Sequence, residues 1–265
     1  MKTAKLATSG FQVNSSNVKC EANETISQYV YDTTSVETKD GSFFVTPKQQ
    51  KFTFKTTTKV PKTGVMLIGW GGNNGSTLTS GVLANRHNLK WMTKRGEQSA
   101  NYYGSLTQCA TTYLGTDQNQ NEVVAPFKEL LPMVNPNDLV IGGWDISKKN
   151  LYESVQRAHV MEPTMYIQLK DELSTMVPLP AIFDINFVAP NQLDRADNVL
   201  KGSKKELIEQ VRQQMRDFKS QNKLDQIIVL WTANTELYNL NKNFHFQIPK
   251  YRISFLLLLE EAQVA

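Results

Sequence analysis

Between residues 64 and 76 the chain reads GVMLIGWGGNNGS. Val65 to Ile68 is a short apolar run of the kind that forms a buried strand. It breaks into Gly69, Gly71, Gly72 and Gly75, and a helical pattern continues from Ser76 through Arg86. Strand, glycine-rich turn and helix together can present bare backbone N–H groups and a helix N-terminus to a pyrophosphate. Similar turns also close ordinary βα units, so by itself this one is either an anion cradle or a structural bend. Two further polar peptides, Asp145-Ile-Ser147 and Thr232-Ala-Asn-Thr235, stand where strands are predicted to end. Such residues often just cap helices and shape turns. Their coincidence with Gly71-Gly-Asn-Asn74 at the mouth of one sheet points instead to a ligand. A dinucleotide fingerprint expects an acidic residue roughly 20 positions beyond the glycines, and Ala84-Asn-Arg-His-Asn-Leu-Lys90 contains none. Either the ribose is held elsewhere, with Asp145 the candidate, or the turn binds something simpler.

The elements that must carry these residues follow from periodicity. Asp138-Leu-Val-Ile141 reads as a second strand, Asn150 to Val160 as a helix, and Met165 to Met176 as an amphipathic segment. Ala181-Ile-Phe183 is a short apolar piece. A capping box of Ser203 and Glu206 opens a helix carrying Leu207, Ile208, Val211, Met215 and Phe218 on one face. Asp225 to Trp231 has an uninterrupted apolar centre, which predicts a strand in the middle of a parallel sheet. The alternation predicts an α/β fold, a Rossmann-like open parallel sheet over 61–236. Residues 1–60 form an N-terminal β-rich extension, with short strands at Ser42–Val45 and Lys51–Lys55 punctuated by Pro47 and Pro61. Residues 237–265 are a separate tail.

Composition narrows the class. With 40% hydrophobic and 20% charged residues and a net charge of +4, the chain is an ordinary globular protein. Lys48, Lys51, Lys55, Lys59 and Lys62 are interleaved with Thr and Phe, which fits a solvated β face better than a nucleic-acid patch. No apolar run reaches the roughly 20 residues a membrane helix needs. Two cysteines, Cys20 and Cys109, make no disulfide or metal framework, and no signal peptide opens the chain, so a cytoplasmic location is expected. Cys109 reads as a buried small residue. His87, His159 and His245 have no carboxylate or serine at recognisable spacing and read as surface or structural residues. No metal site and no catalytic residue can be assigned.

The same peptides resemble the eukaryotic myo-inositol-1-phosphate (inositol-3-phosphate) synthases. The resemblance rests on GVMLIGWGGNNGSTLT at 64–79, NYYGSLTQ at 101–108, LPMVNPNDLVIGGWDIS at 131–147, PLPAIFD at 178–184, NQLDRADNV at 191–199 and IIVLWTANTE at 227–236. It implies an NAD-dependent isomerase that converts glucose 6-phosphate to inositol phosphate, feeding inositol and phospholipid synthesis. In that family bound NAD oxidises the sugar at C5, an enol closes the ring by aldol addition, and the hydride returns. By the resemblance Gly71, Gly72, Asn73 and Asn74 hold the pyrophosphate and Asp145 the adenosine ribose. Ala181, Ile182, Gln192 and Arg195 line the adenosine side, and Thr232, Ala233, Asn234 and Thr235 lie along the cofactor. Full-length subunits, which form homotetramers in the family, are the expected protein partners.

The sequence also departs from the family. Family members continue beyond WTANTE into a catalytic and tetramerisation domain with a signature resembling SYNHLGNNDG. Here Glu236 is followed by Leu237-Tyr-Asn-Leu-Asn-Lys-Asn-Phe-His245 and an apolar run, Ile253 to Leu259. The expectation is a synthase-family chain inactive by itself; the alternative is a non-catalytic short form that binds NAD or full-length subunits and modulates assembly. Unless it packs as a short helix at Phe255–Leu259, the apolar run is an association-prone patch. Truncation after Glu236 is expected to raise soluble yield; a lower melting temperature with more aggregation would show the tail to be a working part of the fold.

Overall fold

The computed structural model describes residues 3–5, 11–185 and 187–233. The tail, with Asn234 and Thr235, lies outside the described residues. The chain divides into two compact units, one of Met1–Val60 with Tyr102–Met133, the other of Pro61–Asn101 with the chain from Val134.

The first unit is dominated by a long hairpin. Glu24–Lys39 pairs antiparallel with Ser42–Thr57 along its whole length, and Val18–Cys20 adds a third strand on the other side. The two short strands expected at 42–45 and 51–55 are therefore one 16-residue strand. Pro47 does not break it, because the strand is at the sheet edge, where a residue without an N–H can face outward. Asp40 and Gly41, at φ 51° and 77°, make the two-residue turn that right-handed strand twist favours. Tyr31, Tyr29, Phe52 and Phe54 stack successively on one face at centroid separations of 6.5, 6.4 and 6.4 Å. Lys48, Lys51 and Lys55 lie exposed on the edge strand. A smaller hairpin, Thr111–Thr116 with Glu122–Pro126, completes the strands of this unit together with the pair Thr3–Lys5 and Gln12–Asn14.

In the second unit a parallel sheet is built from β1 (Thr63–Ile68), β2 (Val140–Asp145), β3 (Leu179–Pro180) and β4 (Gln226–Trp231), in the order β3-β2-β1-β4. Three longer helices accompany it: α1 (Asn73–Arg86), α2 (Leu151–Ala158) and α3 (Lys204–Gln221). On one face Val65 and Leu67 of β1 join Leu83 and Ala84 of α1, Leu151 and Val155 of α2, and Met165, Leu169 and Leu173 in a single buried cluster. The last three, spaced by four, come from consecutive helical turns between Pro163 and Thr175. On the other face the Phe218 ring of α3 lies against Gly64 and Gly142.

Both capped helices start as their sequences dictate. At α2 the Asn150 side chain accepts from Glu153 N–H, and Glu153 accepts from Asn150 N–H. At α3 Ser203 and Glu206 make the same reciprocal pair. The bond from Ser203 N–H holds the Glu206 carboxyl below its ordinary range. This cap is complete above the ordinary carboxylate pKa and loosens as pH falls through the lowered value.

One expectation is corrected. Among the described residues β4 is not central: it stands at the edge of the sheet, with Ile228 and Leu230 exposed. Apolar content shows what a strand can bury, not what covers it.

Gly143 in β2 adopts φ 154°, and a Cβ there would come 2.2 Å from the Leu67 carbonyl oxygen of β1. Backbone rather than a flexible side chain blocks it, so Gly143→Ala is expected to cost about 3 kcal/mol or more in urea unfolding. A loss below about 1 kcal/mol, the size of an ordinary substitution, would contradict this packing.

Candidate functional site

The strand order reverses between β1 and β4, since β2 and β3 are laid to one side of β1 and β4 to the other. Open parallel sheets bind ligands beyond the carboxyl ends of their strands at such a reversal. The described residues of the three polar peptides meet at this place.

β1 leads into the glycine turn. The amides of Gly69 and Trp70 both donate to the Trp144 carbonyl of β2, at 2.8 and 2.9 Å. Gly72 N–H donates back to the Gly69 carbonyl, and Gly72 is the N-cap of α1. The first turn of α1 contains no acidic residue, and no side chain caps its N–H groups. The partial positive charge of the helix end is thus left for an anion. At Gly75 a Cβ would lie 2.5 Å from the Trp70 carbonyl oxygen, so only glycine lets the helix begin so close to the turn. Trp70 is locked in turn: its Nε1–H donates to Thr79 Oγ1, whose own proton goes to the Gly75 carbonyl.

β4 closes the other side. The N–H and hydroxyl of Thr232 both donate to the Ile68 carbonyl, and Asn74 Nδ2 donates to the Thr232 carbonyl at 3.1 Å. Ala233 packs against Gly69. Asn73 and Asn74 are exposed at the start of α1.

At the end of β2, Asp145 is 3% exposed. Its Oδ1 accepts from Ser147 N–H at 3.0 Å and from Arg195 Nη2 at 3.2 Å. Its carboxyl faces the glycine turn: a Cβ on Gly71 would lie 3.2 Å from the carboxyl carbon and Oδ2. Arg195 also donates through Nη1 to Gln192 Oε1, within the 3-10 turn Pro190–Arg195. Arg195 Nε is buried with no hydrogen-bond partner among the described residues. Asn198 Nδ2 donates to the carbonyls of Asp145 and Pro178, and the Asn198 carbonyl accepts from Ala181 N–H. That ladder holds the 178–200 segment on β2. Ile182 is exposed beside it.

Of the residues singled out by sequence, the structure therefore gathers Gly71, Gly72, Asn74, Asp145, Ala181, Gln192, Arg195, Thr232 and Ala233 at these strand ends. Arg157 was not anticipated. From the last turn of α2 its Nη2 donates to the Gly71 carbonyl at 2.7 Å. Burial, then the neighbouring Arg195, lower its pKa, while Asp145 opposes them; a guanidinium remains cationic throughout. Nothing local in the sequence marks Arg157, because its role depends on where α2 docks. Asn198 could have been suspected from the polar NQLDRADNV run.

The other candidates lie elsewhere. His87 caps the end of α1 and its Nε2 lies 2.7 Å from Glu172 Oε2, a carboxylate partner that spacing could not reveal. His159 ends α2 in a left-handed conformation. His245 lies outside the described residues. Cys109 is exposed rather than buried, since it ends a four-residue helix, Leu106–Cys109, that buries none of its residues. Among the described residues no group of His, Cys, Asp or Glu could hold a metal, and no helix is long and apolar enough to cross a membrane.

A parallel sheet with this reversal, and a glycine turn opening an uncapped helix beside it, define a Rossmann-like dinucleotide-binding domain. Residues 63–248 match the NAD-binding family model described as Myo-inositol-1-phosphate synthase. The chain belongs to the myo-inositol-1-phosphate synthase family, and the cofactor of the matching domain is NAD. It is 54% identical over 233 residues to an inositol-3-phosphate synthase of Sesamum indicum, covering 86% of this chain and 46% of that protein. Against inositol-3-phosphate synthase 1 of Oryza sativa subsp. japonica it is 51% identical, over 87% of this chain and 46% of the relative. The crystal structure of inositol-3-phosphate synthase from Caenorhabditis elegans superposes with a TM-score of 0.81 at 46% identity, covering 84% of this chain and 44% of that one. The chain thus spans about half the length of these relatives.

Proposed function

We propose that this chain supplies the NAD-binding half of an inositol-3-phosphate synthase, an isomerase acting on glucose 6-phosphate, in the cytoplasm. The carrying observation is the uncapped N-terminus of α1, set behind glycines at the sheet's reversal with a buried carboxylate beside it. Gly71, Gly72, Asn73 and Asn74 would cradle the pyrophosphate, Gly72 through its missing side chain because its N–H already serves the Gly69 carbonyl, and Asp145 would take the hydroxyls of the adenosine ribose. Ala181, Ile182, Gln192 and Arg195 would line the adenosine side, and Thr232 and Ala233 would run along the rest of the dinucleotide. NAD, when bound, supplies a hydride acceptor for the sugar. The chain's residues bind and orient: Asn74 ties the turn to β4, Arg157 fixes the Gly71 carbonyl, and Arg195 holds Asp145 in place.

Proton abstraction beside a carbonyl also needs a placed base and support for the enolate. The described site gathers glycines, amides, hydroxyls and one carboxylate already paired with Arg195, a set suited to holding a nucleotide. The 265-residue chain by itself is therefore expected to form no inositol phosphate from glucose 6-phosphate; product from synthase-free material would refute this. Addition to a full-length synthase, with activity and assembly followed, would reveal any modulatory role.

Isothermal titration is expected to show NAD binding, weakened about tenfold or more in Asp145→Ala, the usual worth of a hydrogen bond to a charged group. Unchanged affinity would remove the ribose from Asp145.

A further inference from the structure

Asp145 is surrounded by more positive charge than a neutral ribose requires. Arg195 Nη2 is 3.2 Å from its Oδ1. Arg157 Nη2 is anchored 2.7 Å from the carbonyl of Gly71, the same residue that the Asp145 carboxyl faces. One guanidinium is thus paired with the carboxylate, and a second is held at the glycine that the carboxylate faces. Arg195 keeps a donor in reserve, the buried Nε–H without an acceptor among the described residues. Gathering two like charges in a partly buried place is unfavourable unless an anion lies near them. Asp145 is that anion here.

A ribose diol needs only an acceptor, which a carboxylate supplies; a ribose 2′-phosphate needs guanidinium donors and repels a carboxylate. We propose that Asp145 alone makes the site select a dinucleotide with an unphosphorylated adenosine ribose, and that Arg157 and Arg195 form a latent 2′-phosphate site that Asp145 masks. This rests on the placement of the adenosine ribose at Asp145. With the carboxylate present the three side chains sum to one positive charge; without it they sum to two, beside a helix N-terminus that adds to the same field. A 2′-phosphate entering in its place would restore the missing negative charge.

The test uses the full 265-residue chain, titrated calorimetrically with NAD and with NADP. Three variants are compared with the unmodified protein: Asp145→Ser, and Asp145→Ser combined with Arg157→Gln or with Arg195→Gln. Asp145→Ser is expected to weaken NAD and strengthen NADP by about tenfold each, reversing the preference, as befits exchange of one charged hydrogen-bonding partner for another. Either arginine change should cancel the NADP gain, and added salt should erode it. If Asp145→Ser loses NAD but gains nothing for NADP, the arginines are purely structural and the inference fails. If neither dinucleotide changes, the ribose does not lie at Asp145, and the site assignment itself falls. Asp145→Asn, which keeps an acceptor for Ser147 N–H, carries the same comparison should the serine variant fold poorly.

Discussion

The Trp144 carbonyl accepts from two successive amides, those of Gly69 and Trp70, and so pins the glycine turn to the end of the neighbouring strand. The direction of α1 follows from this, because the turn must reverse beside β2 before Gly72 can cap the helix. The position of Asp145 follows too, since it is the next residue along β2 after the accepting carbonyl. Even the burial of Trp70 belongs to the same arrangement, its indole tied to Thr79 in the second turn of the helix. Backbone bonds set this arrangement, and the Arg157 and Trp70 side chains brace it. A site built from backbone in this way is stiff, which suits a cofactor that must be held in one pose.

Glycine also shapes the opposite face. Gly64 and Gly142 leave room for the Phe218 ring of α3, while Gln214 of the same helix accepts from Trp144 Nε1. The two faces of β2 are therefore linked at one residue: the Trp144 carbonyl serves the turn and its indole serves α3.

Much of this was legible in the chain itself. The strand, turn and helix from Val65 to Arg86 stood out because apolar run, glycines and helical period are local signals. Ser203 and Glu206 announced α3 for the same reason. Asp145 could be nominated only by elimination, when no acid followed the first helix. What escaped reading was set by tertiary placement: Arg157 acquires its role from the docking of α2, Glu172 meets His87 from 85 residues away, and β4 is an edge although its composition suits a centre. The long hairpin is a different lesson. Asp40-Gly41 is a strong turn signal, but Pro47 argued for interruption, and only the edge position of the strand reconciles the two.

β4 carries a consequence for the order of assembly. Its pairing with β1 joins residues far apart along the chain, as in the bond from Lys62 N–H to Asp225, separated by 163 positions. β1, β2, α1 and α2 can associate through nearer contacts, but the cleft acquires its second wall only when that distant segment arrives. Long loops make such closures slow relative to local ones. On a ribosome the glycine turn is thus made early and stands half-walled while most of the unit is still being synthesised. For that interval Thr232 and Ala233 are absent from its flank, and the nascent domain has an anion-attracting helix end before it has a cofactor site.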